Sequence, residues 1–199
     1  AGEKVLDYCA GAGGKTLALS ASMENRGQIH AYDIDKNRLA PIHERLKRAG
    51  TRNVQVHAPN TDLSPLVGAM NRVVVDAPCT GSGTWRRRPD AKWRMDVNNL
   101  ESRIDEQEQV LDQASQYVRP GGYLIYITCS VFPEENENQV YAFTDRHPNF
   151  ELVSAGEAWE ELFGAANAKP WSSDMKTVTL TPASTGTDGF FFAVLERRT

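Results

Sequence analysis

Short apolar runs alternate with amphipathic stretches along most of this chain. Residues 4–9, 28–33, 53–57, 72–76 and 123–128 are compact and rich in Val, Ile, Leu and Tyr, as strands buried on both faces are. Between them the apolar positions recur at helical spacing. Residues 15–23 and 36–49 fit helices, the second with Leu39, Ile42 and Leu46 on one face, Pro41 in its early turns and Gly50 as its stop. Residues 98–118 form a third helix, ended by Arg119-Pro120-Gly121-Gly122. Pro133 opens a fourth, with Glu134 and Glu135 in its first turn. Residues 150–153 read as a short strand, and 177–181 with 190–195 as a closing pair. Residues 77–96 read as a long loop, and 154–174 carry little pattern.

Strands alternating with helices predict βαβ units in an α/β fold. The expected sheet has about seven strands, mostly parallel, with residues 123–128 at its centre. The last two strands have no helical pattern between them, which predicts an antiparallel edge.

Composition narrows the class. A chain of 199 residues with 40% apolar and 24% charged positions suits one globular domain. There is no signal-peptide pattern and no apolar run long enough for a membrane span. Three cysteines without a CxxC spacing argue against a disulfide framework and against a zinc site, so no metal is expected. Free thiols fit a cytoplasmic setting. The start without Met and without a lead-in element is read as a fragment, one catalytic domain over 1–199 that lacks an N-terminal RNA-binding domain. A monomer without protein partners is expected. The formal net charge of −4 requires any nucleic-acid contact to come from a local basic patch.

The polar residues gather at the strand ends. In open α/β sheets ligands bind beyond the C-terminal ends of the strands. There the sequence places Cys9 and a glycine turn, then Asp33, then Asn60 and Asp62, then Asp76 and Cys79, and last Cys129. The turn Cys9-Ala10-Gly11-Ala12-Gly13-Gly14-Lys15 lacks the first glycine of a phosphate-binding P-loop and the third glycine of a dinucleotide fingerprint. With Asp33 as a ribose acceptor it suits NAD and S-adenosylmethionine equally.

Four segments in order carry a family resemblance: 9–16, Asp33-Ile34-Asp35, Asp76-Ala77-Pro78-Cys79, and Thr128-Cys129-Ser130 followed by 131–136. Together they resemble the Sun-type RNA cytosine-5 methyltransferases, from about Val5 to Asn138 and more weakly to the C-terminus. The resemblance implies a Rossmann-like class I fold that uses S-adenosylmethionine. It implies RNA as partner, ribosomal RNA in bacterial members. Cys129 would attack carbon 6 of cytosine, and Cys79 would assist proton removal from carbon 5 and enzyme release. Asp76 would bind the cytosine edge. Residues 9–15, Asp33, Asn60 and Asp76 would hold the cofactor. A helix opening at Pro133 would stabilise the Cys129 thiolate. The family usually has proline at Ala12 and an acid at Asn60. The Asn60 carbonyl can still accept from an adenine amino group, with Asp62 as the other candidate. An NAD-linked oxidoreductase leaves both cysteine motifs unexplained, and an inactive RNA-binding module leaves Asp76, Cys79 and Cys129 without a use.

Residues 85–94 hold five cations, one acid and two tryptophans. Arg86, Arg87, Arg88 and Lys92 suit phosphates, and Trp93 suits base stacking. Because the base must leave its stack, a single-stranded or looped target is expected.

Overall fold

A computed structural model describes residues 2–164 and 168–199. Residues 165–167, inside the weakly patterned stretch, lie outside the described residues. The strands are β1 (Lys4–Asp7), β2 (Gln28–Tyr32), β3 (Val54–His57), β4 (Met70–Asp76), β5 (Val118–Thr128), β6 (Phe150–Leu152), β7 (Thr177–Leu180) and β8 (Phe190–Arg197). They form one sheet in the order β3-β2-β1-β4-β5-β8-β6, with β7 pairing along another part of β8. The pairs from β3 to β5 are parallel, and β8 is antiparallel to β5, β6 and β7. The expected α/β sheet with an antiparallel edge is therefore present.

Both faces are covered, which is why the parallel strands read as nearly continuous apolar runs. On one face Leu6, Val73, Val75, Leu124 and Tyr126 pack with Leu111 and Ala114 of α5 (Val97–Ser115) and with Val140 and Phe143 of α6 (Glu137–Arg146). On the other, Val5, Ile29 and Val74 pack with Met23, beyond α1 (Gly14–Ser22), while Ala31 meets Leu39, Ile42 and Leu46. Alternate residues of one strand thus serve opposite layers.

Several expected boundaries move, each for a local reason. The helix expected over 36–49 is two pieces, α2 (Lys36–Leu39) and α3 (Ile42–Arg48). Pro41 has no N–H to give the preceding turn, so the helix restarts after it. Strand β5 begins at Val118, not Tyr123, and passes through the Pro-Gly-Gly segment that looked like a stop. Gly122 makes this possible, since a Cβ there would crowd the carbonyls of Arg119, Asn71 and Met70. Within the expected loop, α4 spans Pro89–Arg94, and α7 (Ala155–Phe163) occupies the weakly patterned stretch. A short α8 (Pro182–Thr185), opened by a Thr181–Ser184 capping box, lies between the closing strands.

Asp7, at the end of β1, is fully buried. Its Oδ2 accepts from Thr16 Oγ1 at 2.6 Å, and its Oδ1 has no partner among the described residues. Burial pushes its carboxyl from the ordinary 3.8 up to about 6, against the pull of the Thr16 hydroxyl. The native state therefore holds this proton more tightly than the unfolded chain does. The stabilisation is complete below pH 3.8 and is lost as pH rises to about 6. The loss across that window is on the order of 3 kcal/mol. Urea melts at a series of pH values should show this slope in the native protein and a flatter one in Asp7→Asn. An identical slope in both would contradict the assignment.

Candidate active site

The strand ends form a row of cavities that share lining residues. The first, about 500 Å3, is lined by Cys9, Ala10, Gly11, Ala12, Gly14, Lys15, Arg38 and Asp76, among others. Gly11 and Gly13 have φ of +48° and +81°, a backbone region that L side chains rarely adopt. Gly13 also lies against Ile42, where a Cβ would overlap, whereas a Cβ on Gly14 would meet nothing within 4 Å. Gly13 therefore faces the packing and Gly14 faces the cavity. At Ala12, the carbonyl accepts from Arg45 Nη1 at 2.8 Å, so α3 restrains the turn.

Asp33 is buried and clamps this turn. Its Oδ2 accepts from Gly11 N at 2.9 Å and its Oδ1 from Asp35 N at 2.9 Å, with Arg38 Nη2 3.9 Å from Oδ2. A second cavity, about 60 Å3, runs between Tyr8, Cys9, Tyr32, Asp33, Ile34 and Pro78. A third, about 650 Å3, is lined by Ile34, Leu39, Val56, Pro59 and Asn60 among others. Asn60 thus faces a cavity. Asp62 instead spends both oxygens on Ser64, whose N and Oγ each donate at 2.9 Å. Ile34, 79% exposed directly after Asp33, is a cavity residue that the polar pattern did not single out.

Strand β1 stops at Asp7, so Cys9 belongs to the turn and not to the strand end. Burial pushes its thiol well above the ordinary range, which favours the neutral, unreactive form.

Cys79 and Cys129 do converge, with Sγ atoms 3.3 Å apart. They line a cavity of about 430 Å3 with Lys15, Asp76, Thr80, Thr84, Arg87, Arg88 and Phe190 among others. Lys15 Nζ lies 2.6 Å from Asp76 Oδ2, and this ion pair borders both the thiol cavity and the glycine-lined one. The two thiols are unequal. A hydrogen bond from Cys79 holds Cys129 below the usual thiol range, against burial and the Asp76 charge. The same bond, with burial, pushes Cys79 far up. Of the two, Cys129 is the thiol that ionises more readily.

The helix expected at Pro133 is a single 3₁₀ turn, Pro133–Glu135, and the helix proper, α6, starts at Glu137 after Asn136. Asn136 interrupts the helical path because its side chain accepts from Thr128 Oγ1 at 2.6 Å and donates to Ser130 O at 3.1 Å. No α-helix opens at Pro133, and the bond to Cys79 is the main cause that lowers the Cys129 thiol.

The basic segment is also rearranged. Arg86 and Arg87 both pair with Asp188, a buried residue just before β8, and Arg94 pairs with Asp90. Gly83 and Gly189 pack backbone to backbone beside this link, with Gly189 N donating to Gly83 O at 2.8 Å. Trp85 packs edge-on against Phe132, so it is not a free platform, whereas Trp93 is 82% exposed. Lys92 stands over both rings at 5.6 Å. Arg88 has no ion-pair partner among the described residues and borders the thiol cavity. No group of three or more His, Cys, Asp or Glu side chains that could hold a metal occurs among the described residues. No helix among them is long and apolar enough to cross a membrane.

Comparison with known proteins converges on one family. The model of the 16S rRNA methyltransferase RsmB/F family matches residues 1–196. Ribosomal RNA small subunit methyltransferase B of Klebsiella pneumoniae (strain 342) is 33% identical over 199 residues, covering 99% of this chain and 42% of that protein. The chain thus spans less than half the length of the curated relatives it matches. The crystal structure of NSun6 from Pyrococcus horikoshii with SFG superposes with a TM-score of 0.81 at 28% identity, over 99% of this chain and 48% of that one. A methyltransferase homolog protein from Pyrococcus horikoshii gives a TM-score of 0.77 at 30% identity, over 98% and 62%.

Proposed function

This chain belongs to the 16S rRNA methyltransferase RsmB/F family, and from that premise we propose that it methylates carbon 5 of a cytosine in RNA, ribosomal RNA above all. S-adenosylmethionine is the methyl donor, and the reaction runs through a covalent bond between Cys129 and carbon 6 of the base. The observation that carries this reading is the thiol pair, 3.3 Å apart in an open cavity that shares the Lys15–Asp76 wall with the glycine-lined one. The name of the NSun6 structure, which includes SFG, and the relatives' names as ribosomal RNA methyltransferases support the same class of reaction.

The first three cavities fit S-adenosylmethionine. Gly14 leaves open space where a side chain would block a ligand, Asp33 offers remaining lone pairs to ribose hydroxyls, and Ile34 offers an apolar flank to adenine. Asn60 can accept from the adenine amino group, and the backbone of Cys9 to Lys15 lines the wall. When bound, the cofactor supplies an electrophilic methyl group.

The protein's part of the chemistry follows from the two cysteines. Carbon 5 of cytosine is a weak nucleophile. Addition of the Cys129 thiolate to carbon 6 shifts electron density to carbon 5, which then accepts the methyl group. Asp76 binds the base edge and favours protonation of the ring nitrogen as charge builds. Cys79 is held as a thiol by its bond to the Cys129 thiolate. Once Cys129 is a neutral thioether, that cause is removed and only burial still holds the Cys79 proton, which passes to solvent in the open cavity and leaves a thiolate. It then takes the carbon 5 proton, and elimination breaks the bond between Cys129 and carbon 6.

Arg88 and Trp93 lead the RNA contact. Arg86 and Arg87 retain a net positive charge with Asp188, and Lys92 adds to it. Replacing Arg88 with Ala should weaken RNA binding and reduce the slope of log affinity against log salt by about 1. An unchanged slope would remove Arg88 from the interface. A separate N-terminal RNA-binding domain is proposed to supply further target choice, in a cytoplasmic enzyme.

The product tests the function. Total RNA is methylated by the complete gene product with methyl-labelled cofactor, then digested to nucleosides. The label should run with 5-methylcytidine. Label in any other nucleoside would overturn the reading.

A further inference from the structure

Glu135 has no part in the chemistry above, yet it is completely buried beside it. Its Oε1 accepts from Thr80 N at 2.8 Å and from Gln107 Nε2 at 3.0 Å, and its Oε2 accepts from Thr80 Oγ1 at 2.6 Å. Gln107, also fully buried, donates in addition to Pro78 O at 2.9 Å. The residues on either side of Cys79 are therefore both tied to one Glu135–Gln107 unit. The backbone of Glu135 is fixed in turn, since its carbonyl accepts from the buried Tyr126 hydroxyl of β5 at 2.7 Å.

No cation pairs with Glu135 among the described residues. A buried carboxylate without a counter-ion opposes folding unless hydrogen bonds replace its water. Here three donors converge on it, and a carboxylate accepts from all three. An amide keeps the three partners only if the Thr80 hydroxyl reverses to accept, which removes the charge-assisted bonds. Gln107 shows the same directed use. Its Oε1 has no partner among the described residues, and a flipped amide would face two acceptors.

We propose that Glu135 is the positioning residue that fixes Cys79 against Cys129, and that it thereby governs both the thiolate of Cys129 and release of the covalent adduct. This rests on the proposed function for the release step but not for the thiol geometry. Other links join the two segments further along, from Gly83 N to Cys129 O at 2.9 Å and between the Ser82 and Ser130 hydroxyls at 2.9 Å. They restrain residues 82–83. Backbone N–H groups of Gly81 and Cys129 reach the Cys79 sulfur itself, but among the described residues only the Glu135 unit bonds to both Pro78 and Thr80.

The test compares Glu135→Gln, Cys79→Ala and the double variant in the complete gene product. The first readout is the pH profile of Cys129 alkylation by iodoacetamide, followed by peptide mass. Glu135→Gln should move the Cys129 profile to higher pH, as Cys79→Ala should, because the donor is displaced. The second is covalent RNA–protein adduct on a gel. Glu135→Gln should accumulate adduct and turn over at least about tenfold more slowly, and the double variant should be no worse than Cys79→Ala. A merely structural role would lower the melting temperature and leave the alkylation profile where it was. Thr80→Val, which removes only one donor, guards against misfolding and should shift the same profile in the same direction by less. A wild-type profile in both Glu135→Gln and Thr80→Val would overturn the proposal. If Cys79→Ala itself gives no adduct, the functional reading fails, and the alkylation profile still decides the brace.

Discussion

Replacing Cys129 with alanine is expected to abolish methyl transfer to RNA while the protein stays folded and binds S-adenosylmethionine about as before. The expected loss is at least ~10⁴-fold, about 5 kcal/mol of transition-state stabilisation, because carbon 5 is left without the electron density that the thiolate supplies. The fold should tolerate the change. The Cys129 carbonyl keeps its bond from Gly83 N, and the side chain is only partly buried beside an open cavity. The cofactor cavities do not include Cys129 among their lining residues, so calorimetry with S-adenosylmethionine should give a dissociation constant within about twofold of the native one. Near-native activity in this variant would rule out Cys129 as nucleophile. Cys9 is no substitute, since burial holds its thiol neutral. Cys79 is the only other thiol in that cavity, and its proton is held by the pair itself.

The second large effect belongs to Cys79→Ala. Here the methyl group should still reach carbon 5, but the proton on that carbon then has no base at hand. Positioned general bases contribute on the order of 10²–10⁴-fold, so turnover should fall by about that range while a protein–RNA adduct accumulates. The addition step should slow as well, since Cys129 loses the donor that lowers its thiol. A slow-migrating band on a denaturing gel, labelled from the methyl donor, is the expected sign. A variant that turns over slowly without any such band would contradict the release role of Cys79.

Much of this site could be read from the chain, because strand ends in a parallel sheet are fixed by the apolar runs that precede them. Asp33, Asp76 and Cys129 follow runs that are unambiguous, and the structure brings their loops to one edge. What could not be read is the pairing among polar side chains far apart in sequence. Asp188 sits in a turn of ordinary composition, yet it neutralises part of a basic segment about a hundred residues earlier. Glu135 reads as a favourable first-turn acid near a helix start, but it points inward to Thr80 and Gln107. Asn136 likewise hid the break before α6, because its partners lie on the preceding strand and loop. Pro41 was the one legible warning of a helix break, and its missing N–H proved stronger than the amphipathic pattern around it. Helix α4 was missed for a different reason: its six residues make fewer than two turns, too few for an apolar periodicity to show. Length does not explain α7, which has nine residues like α1.

The covalent step is the core of the account, and it can be caught directly. In RNA carrying 5-fluorocytosine at the target, fluorine occupies the position whose proton must leave, so the methylated adduct cannot eliminate. The native protein is incubated with this RNA and S-adenosylmethionine, digested with protease and nuclease, and mapped by mass spectrometry. The expected product is a methylated 5-fluorocytidine nucleotide bonded to the peptide that contains Cys129. A nucleotide on the Cys79 peptide, or no adduct from protein that methylates ordinary RNA, would contradict it.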